Sequence, residues 1–351
     1  MNKRIQIGER IISENSPTYI IAEISANHNM DYERAVQLIK LAAEAGADAV
    51  KIQTYTADTI TMDCDNEYFQ IHQGTIWDGT TLYKLYQTAY TPWEWQKNLQ
   101  QVAKGLGLDF FSSPFDPTAV DFLEELDIDA YKIASFEIND IPLIRKIAKL
   151  GKPIIISTGI AYLSDIELAL SVCKEENNHD VILLKCTSAY PAPYEDMNLS
   201  TISHMSETFD CIVGLSDHSM GCAVDVAAVA LGSKVIEKHI TIKRSDGGPD
   251  SEFSMEIEEF KDMCQQIRIA EKAIGKVTYE LSDMQIKERE FSRSLFVVKD
   301  IKKGEVITTE NVRSIRPAYG MHTKYYDQVV GCMASVDLKA GTPLSWDLIT
   351  K

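Results

Sequence analysis

The stretch Cys211-Ile-Val-Gly-Leu-Ser-Asp-His-Ser-Met-Gly-Cys-Ala-Val-Asp-Val-Ala-Ala-Val-Ala-Leu-Gly-Ser-Lys-Val-Ile-Glu-Lys-His239 contains the unit from which most of the chain is built. An apolar run over 211–215 is followed by polar residues. A helical pattern over 222–231 then stops at Gly232, and a second apolar run covers 235–239. Runs this rich in Val, Ile and Leu suit strands buried on both faces, and a glycine just past a helical pattern suits a C-terminal cap. Six more runs precede these two: Tyr19-Ile-Ile-Ala-Glu23, Ala49-Val-Lys-Ile-Gln53, Asp109-Phe-Phe-Ser-Ser113, Ala130-Tyr-Lys-Ile-Ala134, Pro153-Ile-Ile-Ile-Ser-Thr158 and Val181-Ile-Leu-Leu-Lys185. Helical patterns lie between or after them at 32–45, 117–126, 141–150, 165–174 and 257–274. Eight strands alternating with helices predict a parallel sheet, and eight is the number that closes a (β/α)8 TIM barrel. The alternative is an open doubly wound sheet, but no Gly-x-Gly-x-x-Gly turn follows the first strand.

The 351 residues suit one large domain and a small one, since such barrels reach about 250 residues. Hydrophobic residues at 45% and charged residues at 25% exclude wholesale disorder. With 35 Lys and Arg against 52 Asp and Glu, the net charge is −17, which repels a polyanion and excludes general nucleic-acid binding. A small anion stays possible, because a few cations inside a pocket set the local field. The seven cysteines (Cys64, Cys173, Cys186, Cys211, Cys222, Cys264 and Cys332) form no Cys-x-x-Cys pair and predict neither a disulfide framework nor a structural zinc site. The N-terminus has no signal-like apolar run, and no stretch nears a membrane span. The expectation is a cytoplasmic enzyme with no membrane partner.

Two segments break the β/α rhythm. Residues 54–108 include the aromatic stretches Ile76-Trp-Asp-Gly-Thr-Thr-Leu-Tyr-Lys-Leu-Tyr86 and Tyr90-Thr-Pro-Trp-Glu-Trp95, either a helical excursion packing its own aromatics or a substrate lid. After about residue 285 the helical period gives way to β-type runs. There Asp300-Ile-Lys-Lys-Gly304 recurs as Asp337-Leu-Lys-Ala-Gly341, which suits a small pseudo-symmetric β module. The expected division is a catalytic barrel over 1–280, a charged linker over 281–292 and a β-rich domain over 293–351.

Chemistry in this fold sits at the C-terminal ends of the barrel strands. The polar residues expected there include Glu23, Lys51, Gln53, Ser113, Lys132, Ser135, Glu137, Ser157, Ser188, Tyr190, His218 and His239. Lys51 and Lys132 interrupt apolar strands, where an ammonium needs an anion beside it. A salt bridge to a rim glutamate or a phosphate or carboxylate pocket meets that need, and a rival use of a barrel lysine is a Schiff base. His218 and His239 end adjacent strands and can share one divalent cation, with Glu137 a further ligand or a base. Gly247-Gly-Pro-Asp250 is a turn that can aim Asp250 inward. Of the remaining histidines, only His28 lies beside this rim.

Together these segments resemble the sialic acid synthase family, which condenses phosphoenolpyruvate with an amino-sugar aldehyde. The matching motifs are Ile21-Ala-Glu-Ile-Ser-Ala-Asn-His-Asn29, Val50-Lys-Ile-Gln53, Tyr131-Lys-Ile-Ala-Ser-Phe-Glu137, Ile156-Ser-Thr-Gly159, Gly214-Leu-Ser-Asp-His218, Glu237-Lys-His239 and Gly248-Pro-Asp250. The C-terminal module resembles the family's antifreeze-like (SAF, β-clip) domain. Ser25-Ala-Asn-His-Asn29, Gly74-Thr-Ile-Trp-Asp-Gly79 and Phe111-Ser-Ser-Pro-Phe-Asp116 resemble the branch that makes pseudaminic acid rather than N-acetylneuraminate.

The resemblance implies that Lys51, Ser113, Lys132, Ser135, Ser157 and Ser188 hold phosphoenolpyruvate; Ser188 stands where neuraminate synthases usually carry asparagine. It implies that His218 and His239 bind Mn²⁺ or Mg²⁺, that Glu137 helps activate water, and that Gln53, Tyr190 and Asp250 contact the sugar. Glu23 completes the catalytic set with Glu137 and the two histidines. It further implies a domain-swapped homodimer in which the SAF domain caps the partner's barrel and inserts Arg316. A 6-deoxy diacetamido sugar calls for an apolar addition to the pocket, and the region of Trp77 and Tyr83 is the candidate source. The competing readings are the same reaction on N-acetylmannosamine or the legionaminic precursor, a metal-independent aldolase using Lys132, and an ice- or carbohydrate-binding role for the C-terminal module. Lys302, Lys303, Glu305 and Arg313 argue against an ice-binding face.

Overall fold

The computed structural model describes residues 1–72 and 74–351, which divide into two compact units, Met1–Gly275 and Lys276–Lys351. In the first, eight parallel strands close on themselves: β1 (Tyr19–Glu23), β2 (Ala49–Thr54), β3 (Asp109–Pro114), β4 (Tyr131–Ile133), β5 (Ile154–Ser157), β6 (Val181–Cys186), β7 (Ile212–Asp217) and β8 (Val235–Thr241). Closure is made by β8 pairing with both β7 and β1, with Glu237 opposite Ser216 and Ile21. Each predicted strand is present, with ends shifted by no more than two residues. A barrel has no free edge, so every strand interior finds a ladder partner.

The helices around the barrel are α1 (Tyr32–Ala45), α2 (Leu82–Ala89), α3 (Trp93–Gly105), α4 (Pro117–Glu125), α5 (Ile141–Ala148), α6 (Leu163–Glu175), α7 (Thr201–Phe209), α8 (Ala223–Ala230) and α9 (Ile257–Ile274). Local chemistry sets their ends. Asp31 caps α1 by accepting from the Glu33 and Arg34 amides, and Gly46 ends it at φ 101°. Asp116 caps α4, with Pro117 in the first turn, where no intrahelical N–H is needed. Helices α2, α3 and α7 and an N-terminal hairpin (Arg4–Ile7 with Arg10–Ser13) are absent from the pattern read above. The hairpin strands and α7 are short, and α2 and α3 lie within the aromatic segment read above as one excursion or lid.

The residues after β2 therefore form a helical excursion, with α3 completing the regular β/α unit and α2 inserted before it. In the second unit the stretch 283–288, read as linker, is helical as Asp283–Glu288. The repeat of the sequence becomes a reciprocal pairing: Ile301 and Leu338 exchange backbone hydrogen bonds of 2.9 and 2.8 Å. Lys302 Nζ donates to Asp337 at 3.0 Å, and Lys339 Nζ donates to Asp300 at 2.6 Å. A separate small core, including Leu295, Val297, Ile301, Ile307, Val312 and Leu338, holds this unit together. No helix among the described residues is long and apolar enough to cross a membrane.

Gly214, in the middle of β7, marks the tightest packing in the barrel wall. A Cβ there would overlap the Val235 carbonyl oxygen and lie 2.6 Å from Leu184 Cδ2. Gly214→Ala is therefore expected to destabilise the barrel by about 1–3 kcal/mol through overpacking, read as a lower midpoint in denaturant unfolding.

Candidate active site

Four charged side chains from four strands meet on the barrel floor. Lys51 comes from β2, Lys132 from β4, Glu23 from β1 and Glu237 from β8, each no more than 3% exposed at the side chain. Lys51 is paired with Glu23 and lies 3.5 Å from Glu237 Oε1, while Lys132 lies 3.3 Å from that same oxygen. Lys51 Nζ also donates to Ser113 Oγ at 3.3 Å. The buried lysines thus have the rim-glutamate partners that the sequence left as one option. Both also line a cavity of about 690 Å³ at the C-terminal ends of the strands, so the anion pocket stays open as well.

Burial raises the Glu23 carboxyl to about 7 despite the pull of Lys51. Burial acts the same way on Glu237, but Lys132 and Lys51 outweigh it and hold that carboxyl below its ordinary value. The lysines diverge too. Burial lowers Lys132 with only partial relief from Glu237, whereas for Lys51 the two glutamates outweigh burial and the ammonium is strengthened. Glu237 was not singled out as a site residue above. Its signal is the strand period: it stands two residues before His239 and so shares its face.

Above this floor, Ser135 Oγ accepts from the Gly159 amide at 3.2 Å. Gly159 is needed there, since a Cβ would strike the Ser188 hydroxyl and come within 2.8 Å of Ser135 Oγ. Ser157 lines the cavity with a buried hydroxyl that has no partner. Ser113 stands one layer back, behind Lys51, and Ser188 beside Cys186. Two ammoniums, Lys51 and Lys132, and two hydroxyls, Ser135 and Ser157, all lining the cavity, form a donor set suited to a small phosphate or carboxylate.

The imidazoles of His218 and His239 have ring centroids 5.3 Å apart, and both line the cavity. His218 Nδ1 is 3.1 Å from the Thr187 carbonyl, which fixes that nitrogen as a donor and leaves Nε2 for a ligand. Burial, with His218 beside it, keeps His239 far below the ordinary histidine value, and its buried Nδ1 has no hydrogen-bond partner. A neutral imidazole with an unused nitrogen is a metal donor. Among the described residues no third His, Cys, Asp or Glu joins them as a ligand set, so the pair fits a cation whose other positions are taken by water or substrate. Tyr190 packs on His218 at 4.5 Å and Phe253 on His239 at 5.0 Å. Phe253 also escaped the sequence reading, because an aromatic in a loop has no period to mark it.

Glu137 lines the same cavity from the turn after β4, with Oε2 buried and unpartnered. Burial raises it to about 7, against Lys132. Asp250 is aimed inward: Oδ2 accepts from the Ser25 hydroxyl and from the Ala26 amide at 3.3 Å. Gln53 Nε2 donates to Ser25 Oγ at 3.1 Å, so Ser25, held at φ 48°, joins the two. Trp77 lines the cavity, but Tyr83 does not; its hydroxyl donates to Asp58 at 3.0 Å. Tyr86, three residues further along α2, takes the place expected of Tyr83. His28 is structural: it packs against Trp95, its Nδ1 accepts from the Met30 amide at 3.1 Å, and burial lowers it to about 4. Arg316 is an exposed residue of the second unit, and the cavity described here is lined by residues of the first.

Glu137 makes a pH-dependent demand on stability. Its folded value near 7 lies above the ordinary 4.5, so the folded state holds the proton more tightly. The contribution is fully present below pH 4.5 and is lost as pH rises through 7. Glu137→Gln is expected to match the wild type in stability at pH 4.5 and to exceed it at pH 8 by up to about 3 kcal/mol, measured by denaturant unfolding at both values.

A family model described as the NeuB family matches residues 38–279, and one for the SAF domain matches 292–350. The chain is 48% identical over 340 residues to a pseudaminic acid synthase of Campylobacter jejuni, covering 97% of this chain and 98% of the relative. It is 45% identical to a pseudaminic acid synthase of Helicobacter pylori, covering 95% and 98%. The crystal structure of an N-acetylneuraminic acid synthetase from Leptospira borgpetersenii superposes with a TM-score of 0.72 at 32% identity, over 81% of this chain and 94% of that one. These relatives are synthases, and the one compared by its structure shares this fold. The strand ends that gather lysines, glutamates, serines and paired histidines here are therefore those of an enzyme, and the chain belongs to the NeuB family of sialic acid synthases, with a C-terminal SAF domain.

Proposed function

We propose that the chain is a pseudaminic acid synthase, a transferase that condenses phosphoenolpyruvate with 2,4-diacetamido-2,4,6-trideoxy-L-altrose and releases pseudaminic acid and phosphate. The observation that carries this is its near-full-length identity of 48% to a pseudaminic acid synthase. Carbon three of phosphoenolpyruvate bonds to the aldehyde carbon, and water adds at carbon two. The bond from carbon two to the bridging oxygen then breaks, so phosphate leaves with that oxygen and the water oxygen becomes the ketone.

Each part of the cavity has a task in this reading. Lys51 and Lys132 meet the phosphate and carboxylate, with Ser135 and Ser157 donating hydrogen bonds and Ser113 and Ser188 supporting them. Burial raises the Glu23 carboxyl, which weakens its hold on its negative charge beside Lys51 and favours an anion entering the site. Glu137, its own carboxyl near 7, takes the proton from the attacking water. Gln53, Tyr190 and Asp250 contact the sugar. A divalent ion such as Mn²⁺ held by His218 and His239 supplies Lewis-acid polarisation of the aldehyde oxygen.

The test is phosphate release from phosphoenolpyruvate with the 6-deoxy altrose, N-acetylmannosamine and the legionaminic precursor, each with and without EDTA. Release only with the altrose, abolished by EDTA and restored by Mn²⁺ or Mg²⁺, is expected. Release with another sugar overturns the substrate, and a metal-independent, borohydride-trapped adduct on Lys132 overturns the mechanism.

The reading includes a cytoplasmic homodimer in which the SAF domain of one subunit caps the partner's barrel and contributes Arg316. Mixing an Arg316→Ala chain, inactive alone, with a His218→Ala chain, inactive alone, is expected to restore activity, because half the sites then lack neither residue. No recovery in the mixed dimer means that Arg316 acts within its own subunit.

A further inference from the structure

Helix α2 carries an apolar stripe that does not serve the core. Leu82, Leu85, Tyr86 and Ala89 stand at i, i+3, i+4 and i+7, the spacing of a core-facing helix, while Lys84, Gln87 and Thr88 face solvent. All four stripe residues line the catalytic cavity, and the first three are only half-buried. A stripe left partly in water in the free protein is covered when an apolar group of a ligand enters.

The rest of this wall has little to offer a hydroxyl. Trp77 lines the cavity, but its one donor, Nε1, is already given to the Pro249 carbonyl at 2.8 Å. The Thr75 hydroxyl donates to Asp78 at 2.9 Å. Ile60 and Ile71 extend the apolar surface, and the phenols of Tyr86 and of Tyr55, whose ring packs on it at 5.5 Å, add two hydroxyls to this side of the cavity. The bond to Pro249 also ties the inserted segment to the loop that carries Asp250, and Trp77 packs on Tyr190 and Phe253, the rings that cover the two histidines. The cavity is therefore divided, with charged groups on the floor and an apolar wall beyond the imidazoles. Both the imidazoles and this wall line one cavity, and Trp77, packed on Tyr190 and Phe253, joins them.

We propose that the wall formed by Leu82, Leu85 and Tyr86 of α2 with Trp77 determines specificity at the distal end of the sugar, accepting a 6-methyl group and rejecting a hydroxymethyl. The inference rests on the substrate reading above and adds the residues that enforce it. An apolar pocket discriminates against an added hydroxyl by up to about 100-fold, because the hydroxyl loses water and gains no partner.

The experiment compares kcat/KM for 2,4-diacetamido-2,4,6-trideoxy-L-altrose and for the same sugar with a 6-hydroxyl, in the wild type, Leu85→Asn, Leu82→Asn and Leu85→Met. The wild type is expected to prefer the 6-deoxy sugar by about 10–100-fold. Either Asn variant that retains the wild-type melting profile is expected to cut that ratio about tenfold with the KM for phosphoenolpyruvate unchanged, and Leu85→Met to keep it. An unchanged ratio in both folded Asn variants overturns the wall while leaving the substrate reading intact. A wild type that uses N-acetylmannosamine and neither altrose overturns the substrate reading and the wall with it.

Discussion

Two ammoniums and two carboxylates on the barrel floor set the terms for the rest of the first unit. Lys51 or Lys132 alone at these positions would be a charge removed from water with nothing to replace its hydration. Glu23 and Glu237 supply that replacement, and the geometry requires four different strands to arrive in register. Closure of the barrel and pairing of the charges are thus the same event: Glu23 on β1 and Glu237 on β8 come together only because β8 pairs with β1. The pairs are imperfect, with Glu23 Oε1 and Glu237 Oε2 buried and without a hydrogen-bond partner. Those oxygens can be satisfied only by a proton or a cation, so the part of the floor suited to an anionic ligand is the pair of ammoniums, Lys51 and Lys132, that line the cavity.

The same cavity is asymmetric in chemistry. Its floor and the imidazoles come from strand ends, which the barrel holds rigidly. Its apolar side comes from the segment between β2 and α3, outside the β/α repeat, anchored among other contacts by the indole hydrogen bond of Trp77 and by ring contacts. Reaction chemistry therefore rests on the repeated scaffold and substrate choice on the insertion, where sequence can change without disturbing strand register.

The barrel and most of its rim were legible in the chain because their signals are local and repeated. Val-Ile-Leu runs of strand length, glycines after helical patterns and polar residues at each strand end all point to one architecture. The repeat at 300 and 337 pointed to a small pseudo-symmetric module, and the structure adds that its two copies pair reciprocally through Lys302–Asp337 and Lys339–Asp300. Legibility failed where one residue must be weighed against distant ones. Phe253 sits in a loop without period, and Tyr83 and Tyr86 are both aromatic residues of one short helix whose rotation the sequence does not state. Glu237 shares a strand face with His239, yet its acidic partners and counter-ions lie on strands far away in the chain.

The sequence by itself determined the (β/α)8 barrel, the second β-rich unit, and the lysines, serines, glutamates and histidines available at the strand ends, because strand and helix periods act over a few residues. Only the tertiary structure decided which of those groups meet. Lys51 is 186 positions from Glu237, and Trp77 is 172 from the carbonyl that holds its indole. Such pairings, and the shifted acidities of Glu23 and Glu137 that follow from burial, depend on closure of the sheet and exclusion of water, and neither exists until the chain has folded.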